Sequence, residues 1–182
     1  MKKKYIWALI LTIFLAGCQG KGTDGNHDAN QFQIMFISSI PHTYQEPLQA
    51  YIEELLSDQL DQHISVNVVV TLPSYDKLTI EIFNKEVDMF VVDSWLDQVL
   101  IDPYGLIPLD DYVDQFDDNA RLDRFRRENQ DGTAEHVYAL PLSKETTFIQ
   151  EIDLDLEDEW LVGVVATSPH QSLAKQLIEE WL

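Results

Sequence analysis

Hydrophobic and polar positions along this chain fall into blocks with distinct periods. Phe32–Ile37, FQIMFI, is a short apolar run bounded by polar residues, which predicts a buried strand. From Tyr44 to Gln62 the apolar residues Leu48, Tyr51, Ile52, Leu55, Leu56 and Leu60 share one face of an amphipathic helix, and Pro47 suits its first turn. Ile64–Leu72, ISVNVVVTL, is rich in β-branched residues and predicts a second strand. Asp76–Phe83 has the spacing of a short helix with Leu78, Ile82 and Phe83 inward, and Val87–Val92 that of a fully buried third strand. Ser94 is placed to cap a helix over Trp95–Ile101, which Pro103-Tyr104-Gly105 breaks. Leu109–Phe116 predicts a further helical turn or two, and His136–Leu140 has strand-like spacing. Thr146–Leu156 alternates apolar and acidic residues as a half-exposed strand does. Trp160–Thr167 predicts a buried strand, and Pro169–Leu182 closes with an amphipathic helix bearing Leu173, Leu177, Ile178 and Trp181.

Strands separated by helices imply an α/β fold, a mostly parallel sheet flanked by helices, built as one domain over residues 32–182. In such sheets the loops at the carboxyl ends of the strands are the expected place for a site. Those positions hold Ser38 and Ser39 after the first strand, Tyr75 after the second, and Asp93, Ser94 and Trp95 after the third. Hydroxyls and a carboxylate suit hydrogen bonds to a small polar ligand, and aromatic faces suit its apolar parts. The plainer alternative is that Ser94 only caps its helix and Trp95 only packs. Trp160 and Trp181 lie on apolar faces and are expected in the core.

The N-terminus follows a different pattern. Met1 is followed by three lysines, then by an apolar run from Tyr5 to Phe14, then by Leu15-Ala16-Gly17-Cys18. The apolar run is short for a bilayer-spanning helix, which needs about 20 residues. Its length and its flanks fit a secretory signal. The final four residues resemble the lipobox of bacterial lipoproteins. That resemblance implies cleavage before Cys18, a thioether-linked diacylglycerol on it, and a protein lipid-anchored in the cell membrane on its extracytoplasmic side. An uncleaved membrane anchor is the alternative. Cys18 is also the only cysteine, so the chain has no internal disulfide, and lipidation would account for an otherwise odd thiol. Residues 18–31 are glycine-rich and polar and are expected to form a flexible tether; His27 and Asp28 within it would lack the support a metal site needs.

Charge narrows the partners. The formal net charge is −20, and loss of residues 1–17 with their three lysines and no acid makes it −23. Nucleic acids and anionic headgroups would be repelled, so no nucleic-acid partner is expected. The basic residues Arg121, Arg124, Arg126 and Arg127 are concentrated in the polar stretch 117–135, which reads as a solvated helix whose arginines offset nearby acids, with an anion-binding patch as the alternative. The acids at 110, 111, 114, 117 and 118 could gather a cation, although such runs are more often a solvated face.

Residues 65–113 carry a second resemblance. The order VNVVVTLPSYDKL, a short helix, VDMFVVDSWLDQVL and GLIPLDDYV resembles the first lobe of an extracellular solute-binding protein of ABC importers. Val137-Tyr138-Ala139-Leu140-Pro141 and the stretch from Val164 to His170 with Ala174-Lys175 resemble later elements of that family. The resemblance implies a periplasmic-binding-protein-like fold and a binding role linked to transport. The family usually has two lobes, whereas the segment between Leu140 and Trp160 is too short to build a second one. The chain therefore reads as a single lobe, with weak capture of a solute or with a partner protein supplying the missing wall.

Enzymatic motifs are sparse. There is no Gly-x-Ser-x-Gly elbow, no glycine-rich phosphate loop and no His-Glu-x-x-His. Asp153, Asp155, Glu157, Asp158 and Glu159 resemble a calcium loop in charge but not in spacing. No cofactor is expected. The reading is a binding module and not an enzyme; a cell-envelope hydrolase using carboxylates near Asp93 is the alternative.

Overall fold

The computed structural model describes residues 27–182. The expected signal segment, Cys18 and most of the expected tether lie outside the described residues. Seven strands form, β1 (Gln31–Ile37), β2 (Ser65–Thr71), β3 (Met89–Asp93), β4 (Arg126–Glu128), β5 (Glu135–Val137), β6 (Leu140–Leu142) and β7 (Trp160–Val164). The α-helices are α1 (Gln45–Leu55), α2 (Tyr75–Asn84), α3 (Asp97–Leu100), α4 (Thr147–Glu151) and α5 (Gln171–Trp181), with short 3-10 turns between them.

The main sheet has the order β2-β1-β3-β7-β6. β1 pairs in parallel with both β2 and β3, while β7 is antiparallel to β3 and to β6. The sheet is therefore mixed, with four strands running one way and β7 the other. The expectation of an α/β sheet flanked by helices holds at that level. β4 and β5 form a separate two-stranded ribbon. The chain leaves β1 toward one side of the sheet and returns to the other, so the helices divide into two groups. α1 packs with α5, and α2 packs with α3. Right-handed crossovers in opposite directions place such helices on opposite faces.

The core is nearly continuous along β1, β3 and β7, whose buried residues leave no exposed face. Gly163 sits in β7 where an added Cβ would stand 2.9 Å from Leu106 Cδ1, so the absent side chain lets the 100–106 segment press onto the sheet. On the α1/α5 side, Phe148 stacks on Trp181 with ring centroids 4.2 Å apart, and on Tyr51 at 5.8 Å. Phe36 and Trp160 close the same cluster at 6.4 and 6.3 Å from Phe148. Trp160 and Trp181 are buried, as expected from their apolar surroundings in sequence. Burial with the Glu151 hydrogen bond raises the Tyr51 phenol well above its usual range. Burial, with the Glu179 and Asp111 charges behind it, pushes the Tyr112 phenol up to about 12.

Several expectations need correction. The first helix ends at Leu55 instead of running to Gln62, because turns closed by bonds to the Leu56 carbonyl bring the chain back toward β2. In α2 the buried positions are Leu78 and Glu81, and Phe83 is 83 % exposed instead of inward. Rotation of about 100° per residue sends Phe83 to the side opposite that stripe. Ser94 does not cap a helix. Its segment starts as a 3-10 turn without a side-chain cap, and its main-chain N–H donates to the Glu159 carbonyl. Thr146–Leu156 is not a strand. Its adjacent residues Phe148 and Ile149 are both buried in α4, and the chain then turns through Asp153 at φ 50° into an irregular segment. Contact with Tyr51 and Trp181 outweighs the local alternation here. The stretch 117–135 is a 3-10 helix followed by the β4–β5 ribbon.

Candidate functional site

β1 and β3 lie side by side, and their carboxyl ends open at one pole of the sheet. β1 continues to β2 on one side, and α2 brings the chain back to β3 on the other. Loops leaving adjacent strands in opposite directions create a crevice. Asp93 terminates β3 there and is only 6 % exposed. Its Oδ1 accepts the Ser39 main-chain N–H at 3.1 Å and the Trp160 indole N–H at 3.1 Å. Its Oδ2 accepts the Ser39 hydroxyl. Three donors from two other strand ends thus meet one carboxylate, which locks the β1 loop against β3 and β7.

A cleft of about 330 Å³ opens beside this lock. Ser39, Ile40, Pro41, Asp93, Trp95 and Trp160 form one side, and the irregular segment Leu154–Asp158 forms the other. The volume lies at the lower end of the range for small-molecule sites. Trp95 is 42 % exposed at the mouth. Tyr75 meets it edge-to-face, with centroids 5.0 Å apart and planes at 80°, and the Tyr75 hydroxyl donates to the Trp95 carbonyl at 3.1 Å. Tyr75 therefore props Trp95 from outside the cleft. Asp155, Glu157 and Asp158 give the opposite rim a negative potential. The Lys144 ammonium beside Asp155, at 2.6 Å, holds that carboxyl below its usual value.

The structure brings together Ser39, Asp93 and Trp95 of the expected site and places Tyr75 behind Trp95. Ser38 is not a lining residue: it is fully buried, and its hydroxyl has no hydrogen-bond partner among the described residues. Ser94 faces a neighbouring depression of about 340 Å³ with Arg121, Arg124, Ser143 and Lys144. Glu157 and Asp158 divide the two. The wall at 154–158 was missed by sequence reasoning, since its alternation reads as a strand. The one available signal was the shortness of the link between β6 and β7.

The arginines of the neighbouring depression are matched by acids. Glu159 accepts from Arg121 and, at 3.3 Å, from Arg124, which also lies 3.6 Å from Asp97. This arrangement favours charge offset over an anion-binding patch. Asp110 accepts from the Val137 N–H and lies 2.7 Å from His136 Nδ1, while Asp111 pairs with Lys175 at 3.2 Å. Among the described residues, no group of three or more His, Cys, Asp or Glu side chains is placed to hold a metal ion.

The opposite pole holds a second polar cluster. Asp88, buried just before β3, accepts the Ser168 hydroxyl at 2.6 Å and the Gln33 N–H at 2.7 Å. His27 Nδ1 lies 3.4 Å from Asp88, and His27 Nε2 lies 3.3 Å from the Thr167 hydroxyl. Burial pushes the His27 pKa down against the opposing pull of Asp88, and His170 lowers it further. His27 is thus packed on the domain and is not part of a free tether.

No protein-family model, no curated protein and no solved structure matches this chain. Among the described residues, no helix is long and apolar enough to cross a membrane.

Proposed function

We propose that this chain is a lipid-anchored extracytoplasmic binding module, held to the membrane through Cys18, that takes a small polar solute in the cleft between the β1 and β3 ends and residues 154–158. In this reading it serves transport as a single-lobed relative of the solute-binding proteins of ABC importers. The observation that carries the reading is the cleft itself: a switch-point crevice with one exposed tryptophan face, an ordered serine loop and a second wall made from the short β6–β7 connection. The acids at 155, 157 and 158 select against anions, so neutral or cationic solutes fit best.

The same geometry weighs against hydrolysis at Asp93. A catalytic carboxylate needs an oxygen free for substrate or water, whereas the Asp93 oxygens already accept from three protein donors. The side chain orders the cleft instead of acting in it.

A thermal-unfolding screen of the full-length protein in mild detergent, against sugars, amines, short peptides and divalent cations, tests the reading. Binding to the folded state raises the midpoint. At least one ligand class should do so, and Trp95→Ala should remove the shift while leaving the unliganded midpoint nearly unchanged. A flat response to every class would overturn solute binding, and a shift retained in Trp95→Ala would move the site.

A further inference from the structure

The main sheet has two edges, and they are closed by different means. At one end β6 is three residues long and holds Pro141, which has no N–H to offer a further strand. At the other end β2 is seven residues long. It lies in the run Ile64–Leu72, ISVNVVVTL, which carries no charge, no proline and no glycine. Uncharged, β-branched edge strands of this kind pair readily with other chains.

The outward side of β2 can be identified from its ends. The Ser65 N–H donates to the Asn30 carbonyl, and the Thr71 carbonyl accepts the Ser38 N–H. Odd-numbered residues of β2 thus turn their main-chain groups toward β1, and alternation turns those of Val66, Val68 and Val70 outward. Two of these outward donors are met by α1. The Val70 N–H donates to Gln45 Oε1 at 3.1 Å, and the Val68 N–H donates to Gln49 Oε1 at 3.4 Å.

Geometry makes the match. Residues four apart on a helix are separated by about 6 Å along its axis. Residues two apart on a strand are separated by about 6.6 Å. α1 runs against β2, so successive glutamines reach successive outward N–H groups. Gln49 Nε2 donates to Glu53 Oε1 at 3.0 Å. A carboxylate only accepts, so this bond fixes which end of the Gln49 amide faces the strand. Each glutamine oxygen stands where the carbonyl of a neighbouring strand would stand. One turn further along α1, Glu53 is engaged by Gln49, and neither glutamine caps the Val66 N–H.

We propose that Gln45 and Gln49 close the β2 edge to strand addition, and that the partner they shut out is β2 of a second copy of this chain. Antiparallel pairing of β2 with itself about a two-fold axis would set one uncharged run against another, with no like charges opposed inside the contact. The chain's overall charge of −20 repels a second copy at long range, but at physiological salt that repulsion is screened beyond about 8 Å. Local occupation of the edge is therefore what keeps the chain single.

The test follows the full chain at physiological salt in density-matched mild detergent, by sedimentation and by amide hydrogen exchange. In the parent protein the Val68 and Val70 amides should exchange at least about tenfold more slowly than the Val66 amide. Equal exchange at all three would overturn the proposal, because the glutamines would not be holding the edge. Gln45→Ala with Gln49→Ala removes both caps, while alanine favours the helix and Leu48 and Ile52 still anchor it. This variant should self-associate at concentrations at least about tenfold below the parent's, with Val66, Val68 and Val70 gaining protection as it does so. Asn67→Lys added to it puts a charge on the edge strand and should restore the monomer. A double alanine variant that stays as monomeric as the parent would overturn the proposal. Association without protection at the three amides, or association that survives Asn67→Lys, would place the contact elsewhere and overturn it as well. Should the double variant fail to fold, Gln45→Ala alone carries the same test at Val70.

Discussion

Ser39 and Asp93 are joined twice, once through the Ser39 main-chain N–H at 3.1 Å and once through its hydroxyl. They are 54 residues apart in sequence, and the pair closes the gap between the ends of two adjacent parallel strands. Trp160 adds a third donor to the same carboxylate from the antiparallel strand β7. The cleft beside them owes its shape to this junction.

Removal of the junction should therefore cost stability before it affects any ligand. Asp93→Ala leaves three donors without their acceptor, and hydrogen bonds to charged groups contribute about 1.5–3 kcal/mol each, not additively. A loss of about 3 kcal/mol is expected in urea titration, with roughly half of that for Asp93→Asn, whose amide oxygen still accepts. A change below about 1 kcal/mol in Asp93→Ala would show that the junction does not hold the loops.

Trp181 and Trp160 should behave as core residues. Trp181 is fully buried and stacks on Phe148 with planes at 14°, and Trp160 lies edge-on to Phe36 at 5.7 Å. Truncation of either to alanine is expected to cost about 3–5 kcal/mol in denaturant titration. Losses under about 1 kcal/mol at both positions would contradict their place in the core.

Docking of His27 should weaken in acid. Its folded pKa lies below the ordinary histidine value of 6.5, chiefly because burial disfavours the charged ring. Below pH 6.5 the undocked state binds more protons than the docked one, so the contribution is full above that pH and is lost as the pH falls through the folded value. An NMR titration of the His27 ring should give a midpoint below 6.5. The stability difference between the parent protein and His27→Gln should shrink between pH 7.5 and pH 5. A ring midpoint above 6.5 would reverse the sign and contradict the burial argument.

Cys18→Ser should abolish membrane association and leave the thermal midpoint of the domain unchanged. Two acyl chains on one diacylglycerol are enough for stable anchoring, and none remain in the variant. Cell fractionation reads this directly. Membrane retention of the serine variant after signal cleavage would contradict lipidation.

Local pattern carried the four longest strands and the longer helices. The runs at Phe32, Ile64, Val87 and Trp160 are mostly apolar or β-branched, and each became a strand; the first three keep within two residues of their expected limits, while the last ends at Val164, three residues short of Thr167. The expected site was legible only in part. Ser39, Asp93 and Trp95 follow from their places after strands, since strand ends are readable from composition. The burial of Ser38 and the second wall at 154–158 were not legible, because both depend on what other segments place against them.

The sequence by itself determined the order of the four longest strands and of the longer helices, the acidic charge, the lone Cys18 beside a short apolar run, and the burial of Trp160 and Trp181. These follow from periodicity and composition, which act over a few neighbouring residues. Only the tertiary structure decided that β7 runs against its neighbours, that Thr147–Glu151 is helical and that the Asp93 carboxylate is taken up by Ser39 and Trp160. Phe148 shows why. In sequence it sits at the start of an alternating acidic stretch, but Tyr51 and Trp181 arrive from distant segments and bury it between them. The free energy of burying an aromatic ring exceeds the small local preference for an extended chain, so the contact chooses the conformation.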